Sequence, residues 1–300
     1  MKVLLALEVH SGENAAVSAA AARPWPVGTS FCLLHSNVPL TSPMLVPRLF
    51  STPKTALLQK LDHAAAPLRR AGWNVRTEVV EGNPRRTINE FAKEWKADLV
   101  MVGAHEQSAI GRLCLGSTAQ AVMRHAPCSV EIVRPRPTGN DGGWKILVAT
   151  DGSEFSQAAL HAVASGAWPP GSQVKVISVP EFILGKDASY LEKHPVRDLS
   201  DLGAASIEDA KKCLSEARLI LGNGPFPLIA EIPEYEERPF QVILHEAERW
   251  GADLIVVGSH GRSGFDRFVM GSVSEAVALR AQCSVEVVRD TTIMAQHTSS

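Results

Sequence analysis

Ala97-Asp98-Leu99-Val100-Met101-Val102-Gly103-Ala104-His105 and Ala252-Asp253-Leu254-Ile255-Val256-Val257-Gly258-Ser259-His260 are two versions of one segment, set 155 residues apart. The same offset holds at Gly116-Ser117 against Gly271-Ser272, and at Cys128-Ser129-Val130-Glu131 against Cys283-Ser284-Val285-Glu286. Self-similarity over a long fixed period marks a duplicated unit. The openings of the copies match as well, Lys2-Val3-Leu4-Leu5-Ala6-Leu7-Glu8 against Lys145-Ile146-Leu147-Val148-Ala149-Thr150-Asp151, at an offset of 143. The second copy therefore carries 12 extra residues, near 180–205. Pro135-Arg136-Pro137-Thr138-Gly139-Asn140-Asp141-Gly142-Gly143 reads as a turn-rich linker, which places domains at 1–134 and 143–289.

Each copy alternates short β-branched apolar runs with longer helical patterns. In the second, strands are expected at 145–150, 173–179, 227–232, 253–258 and 283–288, and helices at 153–166, about 206–221, 239–250 and 271–281. In the first, strands fit near 2–8, 29–35, 75–80, 98–103 and 129–133. Runs such as Leu254-Ile255-Val256-Val257 are apolar on both faces, as strands covered on both sides must be. Alternating strands and helices predict an α/β protein of two tandem doubly wound domains, each a five-stranded parallel sheet flanked by helices.

Composition narrows the function classes. The chain has 300 residues, 45% hydrophobic and 21% charged, with a net charge of −2, which gives no electrostatic reason to expect nucleic acid. Arg69-Arg70 and Arg85-Arg86 read as solvated helix surface. Five cysteines without CxxC or Cys/His spacing argue for a reducing compartment and against disulfides or zinc. The apolar run at Val3–Leu7 is broken by Glu8, too early for a secretory signal, and no segment has transmembrane length. A cytoplasmic protein without a membrane partner is expected.

The second half contains Gly258-Ser259-His260-Gly261, then nine intervening residues, then Gly271-Ser272. This spacing resembles the nucleotide-binding signature of the universal stress protein family, and the likeness runs through both halves. The resemblance implies strand order 3-2-1-4-5, which puts the ends of the first and fourth strands, at Asp151 and Gly258, together at the reversal point where open α/β sheets bind ligands. It implies ATP as ligand, with Mg or Mn on its phosphates. Asp151 would contact ribose or adenine, Ala149 and Val179 would line the adenine pocket, and Val257, Gly258, His260, Gly261, Gly271, Ser272 and Val273 would wrap ribose and phosphates. Glycine lets backbone N–H groups approach phosphate oxygens, and a helix start favours an anion.

Plainer readings apply to the same residues. Ser272 with Glu275, and Ser117 with Gln120, fit capping boxes, Ser153 fits an N-cap, and Gly258 and Gly261 fit a tight turn. The first half departs from the signature, with Glu106 in place of Gly261 and Glu8 in place of Asp151. A carboxylate beside polyphosphate in a partly dry crevice costs on the order of 1–4 kcal/mol, so one competent site per chain is expected. No Walker A, GxGxxG, GxSxG or HExxH motif occurs, and Asp151-Gly152-Ser153-Glu154 is not the SGGxDS loop of adenine-nucleotide hydrolases. No catalytic or metal-ligating set is expected, and hydrolysis, if any, is slow. The alternative is a scaffold that binds no nucleotide. The family resemblance further implies that the fifth strands pair across a two-fold, making an intramolecular pseudo-dimer, and leaves room for a homodimer of tandem chains. The segment 180–205, with Tyr190 and His194, reads as a lid, a partner surface or a plain surface excursion.

Overall fold

Val3, Leu4 and Leu5, like Ile146, Leu147 and Val148, are fully buried, so both opening strands are covered on their two faces. The computed structural model describes residues 1–9, 14–38, 52–104, 115–136, 142–180, 199–234, 237–262 and 270–290. Most of the segment 180–205, including Tyr190 and His194, lies outside the described residues, as do His105 and Glu106.

The first half runs β1 (Lys2–Ala6), α1 (Ala15–Ala22), β2 (Ser30–Asn37), α2 (Lys54–Ala64), α3 (Ala66–Arg70), β3 (Asn74–Glu81), α4 (Pro84–Trp95), β4 (Leu99–Gly103), α5 (Ser117–His125) and β5 (Ser129–Val133). The second runs β6 (Lys145–Ala149), α6 (Glu154–Ser165), β7 (Gln173–Ile177), α7 (Leu199–Leu221), β8 (Leu228–Glu231), α8 (Pro239–Trp250), β9 (Leu254–Gly258), α9 (Ser272–Arg280) and β10 (Ser284–Val288). Helix α7 begins earlier than the pattern at 206–221 indicated. Its leading turn, Leu199-Ser200-Asp201, is too polar to show an apolar stripe.

The strands form one ten-stranded sheet ordered β3-β2-β1-β4-β5-β10-β9-β6-β7-β8. Each half is parallel and ordered 3-2-1-4-5, and the halves join by the antiparallel pair β5–β10. The register there sets Val285 against Ile132, Glu286 against Glu131 and Val287 against Val130. On one face α4, α5, α8 and α9 cover a single apolar core that runs through both halves, with Val122, Val130, Val277 and Val285 fully buried in it. On the other face each half keeps its own core, one around Phe31 and Leu61, the other around Trp144 and Leu160.

The α4 and α8 ends show how the copies differ in detail. Both helices open on a proline, which needs no partner for its missing N–H. Both close in the left-handed region, α8 at Gly251 with φ 69° but α4 at Lys96 with φ 54°. Glycine has no Cβ to strain there, and lysine does.

Candidate functional site

Strands β6 and β9 are parallel neighbours, with Ile146 beside Leu254, Leu147 beside Ile255 and Val148 beside Val256. The chain leaves β6 toward β7 on one side and returns to β9 on the other, so the order reverses between them. The loops beyond their carboxyl ends carry Asp151 and Ser259–Gly261. Ala149, Val179 and Val273 are half-buried around this point and pack on the shared core.

Asp151 is tied on both carboxylate oxygens. Its Oδ1 accepts from the Ser153 N–H at 3.0 Å and the Ser153 hydroxyl at 2.6 Å, and its Oδ2 accepts from the Arg262 N–H at 3.1 Å. Ser153 meanwhile caps α6, accepting from the Ser156 N–H at 3.2 Å, as the sequence indicated. Asp151 thus joins the β6 loop to the β9 loop before any ligand is considered.

The three motif glycines each meet protein at close range. A Cβ on Gly258 would lie 2.6 Å from the Phe155 carbonyl, and one on Gly261 would lie 2.8 Å from Asp151 Oδ2. At Gly271 the nearest atoms would be the Ser259 carbonyl oxygen at 3.2 Å and His260 Cα at 3.3 Å. Gly258 also accepts 2.6 Å from the Ser274 hydroxyl, fastening α9 to β9. His260 is buried, with Nδ1 3.0 Å from the Ser259 hydroxyl and its ring 4.8 Å from that of Phe155. Its position is a packed one beneath the loop.

The expected capping boxes are absent. Gly271 is the N-cap of α9 and Gly116 that of α5, and neither has a side chain with which to cap its helix. Ser272 is instead the first helical residue and is exposed. Glu275 reaches away to Arg124, and Gln120 donates to the Leu115 carbonyl at 2.8 Å. The Gly271 N–H donates 2.9 Å to the Ser259 carbonyl, which fixes the helix start against the β9 loop. Among the described residues the first-turn N–H groups of α9 have no side-chain acceptor, the condition under which a helix start takes an anion.

One residue escaped the sequence reading. Arg262 Nε donates to the Asp151 carbonyl, its Nη1 pairs with Asp209 of α7 at 3.2 Å, and its Nη2 lies 3.4 Å from Cys213 Sγ. Its signal was its place directly after Gly261. Burial pushes the Cys213 thiol up, with Arg262 pulling the other way, so the sulfur stays a thiol. Burial likewise pushes Cys128 up to about 12 and Cys283 to about 11. Among the described residues no group of three or more His, Cys, Asp or Glu could hold a metal ion, and no helix is long and apolar enough to cross a membrane.

In the first half Gly103 ends β4, Gly116 caps α5, and Glu8 follows β1 as an exposed residue. The frame of the crevice is repeated there, with glutamate at the position of Asp151.

Comparison with known proteins agrees with this architecture. The model of the universal stress protein family matches residues 1–134 and 144–289. A universal stress protein of Mycolicibacterium smegmatis is 30% identical over 222 residues, covering 73% of this chain and 70% of that protein. One from Mycobacterium tuberculosis is 27% identical over 230 residues, covering 72% and 69%. Among solved structures, a functionally unknown protein from Pseudomonas aeruginosa superposes with a TM-score of 0.66 at 20% identity, over 99% of this chain and 95% of that one. A universal stress protein from Archaeoglobus fulgidus gives 0.63 at 18% identity, over 96% of each. These two likenesses speak to the fold, and the matched family model to descent: the chain belongs to the universal stress protein family, a stress-response family, with two copies of its domain in tandem.

Proposed function

We propose that the chain is a nucleotide-responsive regulator that holds one ATP in its second half, between the ends of β6 and β9, with slow or no hydrolysis. The observation that carries this reading is the start of α9. Gly271 leaves the first turn without a side-chain cap at the sheet's reversal point, beside Gly261 and Asp151. In this reading Asp151 and the apolar trio Ala149, Val179 and Val273 receive the nucleoside. The N–H groups of Gly261, Ser272 and Val273, with the Ser272 hydroxyl, receive the phosphates. A divalent cation would arrive on the phosphates. His260, packed against Phe155, supports the loop and carries no chemistry. Occupancy would move Arg262, which ties the β9 loop to Asp209 of α7, and so change the surface offered to a partner in the cytoplasm.

A second reading, a scaffold that binds no nucleotide, is favoured by the glycine contacts. Gly258, Gly261 and Gly271 all have neighbours close enough to justify glycine without a ligand. The two readings separate in one experiment. The purified protein is denatured, the supernatant is run on an ion-exchange column, and the stripped protein is titrated calorimetrically with ATP. Release or uptake near one ATP per chain supports the regulator, whereas no release and no heat rejects it in favour of the scaffold.

A further inference from the structure

Arg85 and Arg86, which the sequence presents as plain solvated surface, stand at a groove of about 590 Å³ between α4 and α5 in the first half. That volume lies within the roughly 300–1,000 Å³ usual for small-molecule sites. Arg124 and His125 come to it from the last turn of α5. Glu90 is the one carboxylate in its lining, and it is committed to Arg86 at 2.6 Å. Arg124 is oriented by Glu275 of the other half. Arg85 has no carboxylate partner among the described residues, so the groove keeps positive charge with two of its guanidiniums already held in place.

Asn89 adds a different requirement. Its Nδ2 donates 2.9 Å to the Arg85 carbonyl, which orients the amide and leaves Oδ1 enclosed with no hydrogen-bond partner. An enclosed acceptor without a donor is unfavourable, and a ligand hydroxyl or N–H that reaches it relieves the cost.

The second half is an internal control on the same backbone. At an offset of 155, Phe240, Leu244 and Leu279 stand where the first half has Arg85, Asn89 and Arg124. All three pack on the shared core. One copy has apolar side chains at three positions where the other has two arginines and an asparagine. Of the first-half counterparts of the signature, Ser117 at the start of α5 lines the groove, whereas Glu8 and Gly103 do not.

We propose that the α4–α5 groove of the first half binds a small phosphate ester that carries a hydroxyl or amine donor beside its anion. The guanidiniums take the phosphate and Asn89 Oδ1 takes the donor.

The test is calorimetry on the full chain with three probes, namely glycerol 3-phosphate, methyl phosphate and glycerol. Glycerol 3-phosphate is expected to saturate with a Kd below about 1 mM, methyl phosphate to bind at least tenfold more weakly, and glycerol not to bind. Exchanging Arg85 and Arg124 for glutamine should weaken glycerol 3-phosphate about tenfold or more. Asn89→Leu, which copies the second half, should lower glycerol 3-phosphate to the level of methyl phosphate and leave methyl phosphate unchanged. Gly261→Glu should leave all three affinities as they were, which separates this site from the ATP reading. Thermal melts check folding, and if the double variant unfolds, Arg85→Gln alone serves, because that side chain has no ion-pair partner among the described residues. Absence of saturable glycerol 3-phosphate binding up to about 10 mM overturns the proposal. So does undiminished binding in the arginine variants, or binding abolished by Gly261→Glu.

Discussion

Arg134 and Arg289 exchange places across the two-fold that relates the halves. Arg134, at the end of β5, donates through Nη2 to the Ala278 carbonyl at 2.7 Å and through Nη1 to the Cys283 carbonyl at 3.1 Å, closing α9 of the second half. Arg289, at the end of β10, donates to the Met123 and Ala126 carbonyls at 2.6 and 2.8 Å, closing α5 of the first. Each backbone N–H also finds the other half's serine, Ser284 for Arg134 and Ser129 for Arg289. Both guanidiniums are buried, which lowers their pKa, and each sits at the negative end of a helix.

Replacing either arginine by methionine strips carbonyls of a charged donor that only the opposite half supplies. We expect a loss of about 2–4 kcal/mol for each, measured by urea denaturation. The two sites lie at opposite ends of the strand pair, so the losses should add. The double variant should show two separate unfolding transitions where the parent shows one. A single unshifted transition would mean that the apolar core under α5 and α9 suffices to join the halves.

Glu131 and Glu286 are directly opposed in the same strand pair, and one guanidinium serves both. Arg23 pairs with Glu131 at 3.0 Å, its charge lying over Trp25 and near Trp144 and Trp168 of the second half. Burial pushes the Glu286 carboxyl up to about 7, with Arg23 pulling it down and Glu131 pushing it further up. The folded state therefore keeps a proton that the unfolded chain releases above about pH 4.3. Its contribution to stability is full at low pH and is lost as pH rises toward 7. Glu286→Gln should remove this slope and raise stability above pH 7 by on the order of 1–3 kcal/mol. Denaturation midpoints of both proteins between pH 5 and pH 8 check it, and parallel curves would show that the carboxyl is ionised throughout.

Lys96 holds a left-handed backbone where the second copy has Gly251. Lys96→Gly should stabilise the chain by about 0.5–1 kcal/mol, because the strained Cβ is removed. A rise in midpoint without change in denaturant slope is the expected result. The reverse exchange, Gly251→Lys, should lower stability by a similar amount.

Gly261→Glu copies the first half into the second. A Cβ there lies 2.8 Å from Asp151 Oδ2, so the substitution adds a clash to the repulsion of carboxylate and phosphate. ATP binding should fall at least tenfold by calorimetry. Arg262→Ala is the companion variant, since it frees Asp209 and the Asp151 carbonyl while leaving the glycines intact. If Arg262 links occupancy to α7, proteolysis of the α7 region should respond to ATP in the parent and not in Arg262→Ala.

The strands were legible because doubly covered runs such as Ile146-Leu147-Val148 and Leu254-Ile255-Val256-Val257 admit few other structures. The glycines were legible by spacing, though it is their contacts with Phe155, Asp151 and Ser259 that explain each one. What escaped the sequence depends on orientation. Glu131 and Glu286 look like ordinary polar positions on alternating strands until the two-fold sets them face to face. Ser272 and Glu275 match the capping pattern, yet Arg124 from the other half draws Glu275 away. Arg262 gave no signal beyond its place directly after Gly261, and its role follows from the fold of its own loop. The groove beside α4 could be read only by comparing corresponding positions of the copies.

The antiparallel seam between β5 and β10 also bears on how unequal partners stay together. Two separate chains carrying these halves could assemble in three combinations, and only one would pair a glutamate-bearing site with a glycine-bearing one. A covalent tether raises the local concentration of the right partner to the millimolar range, so each translated chain delivers a matched mixed pair in one-to-one ratio. Joined in that way, the first copy is released from duplicating the second, and a change such as the cationic groove can accumulate in it without diluting the site next door.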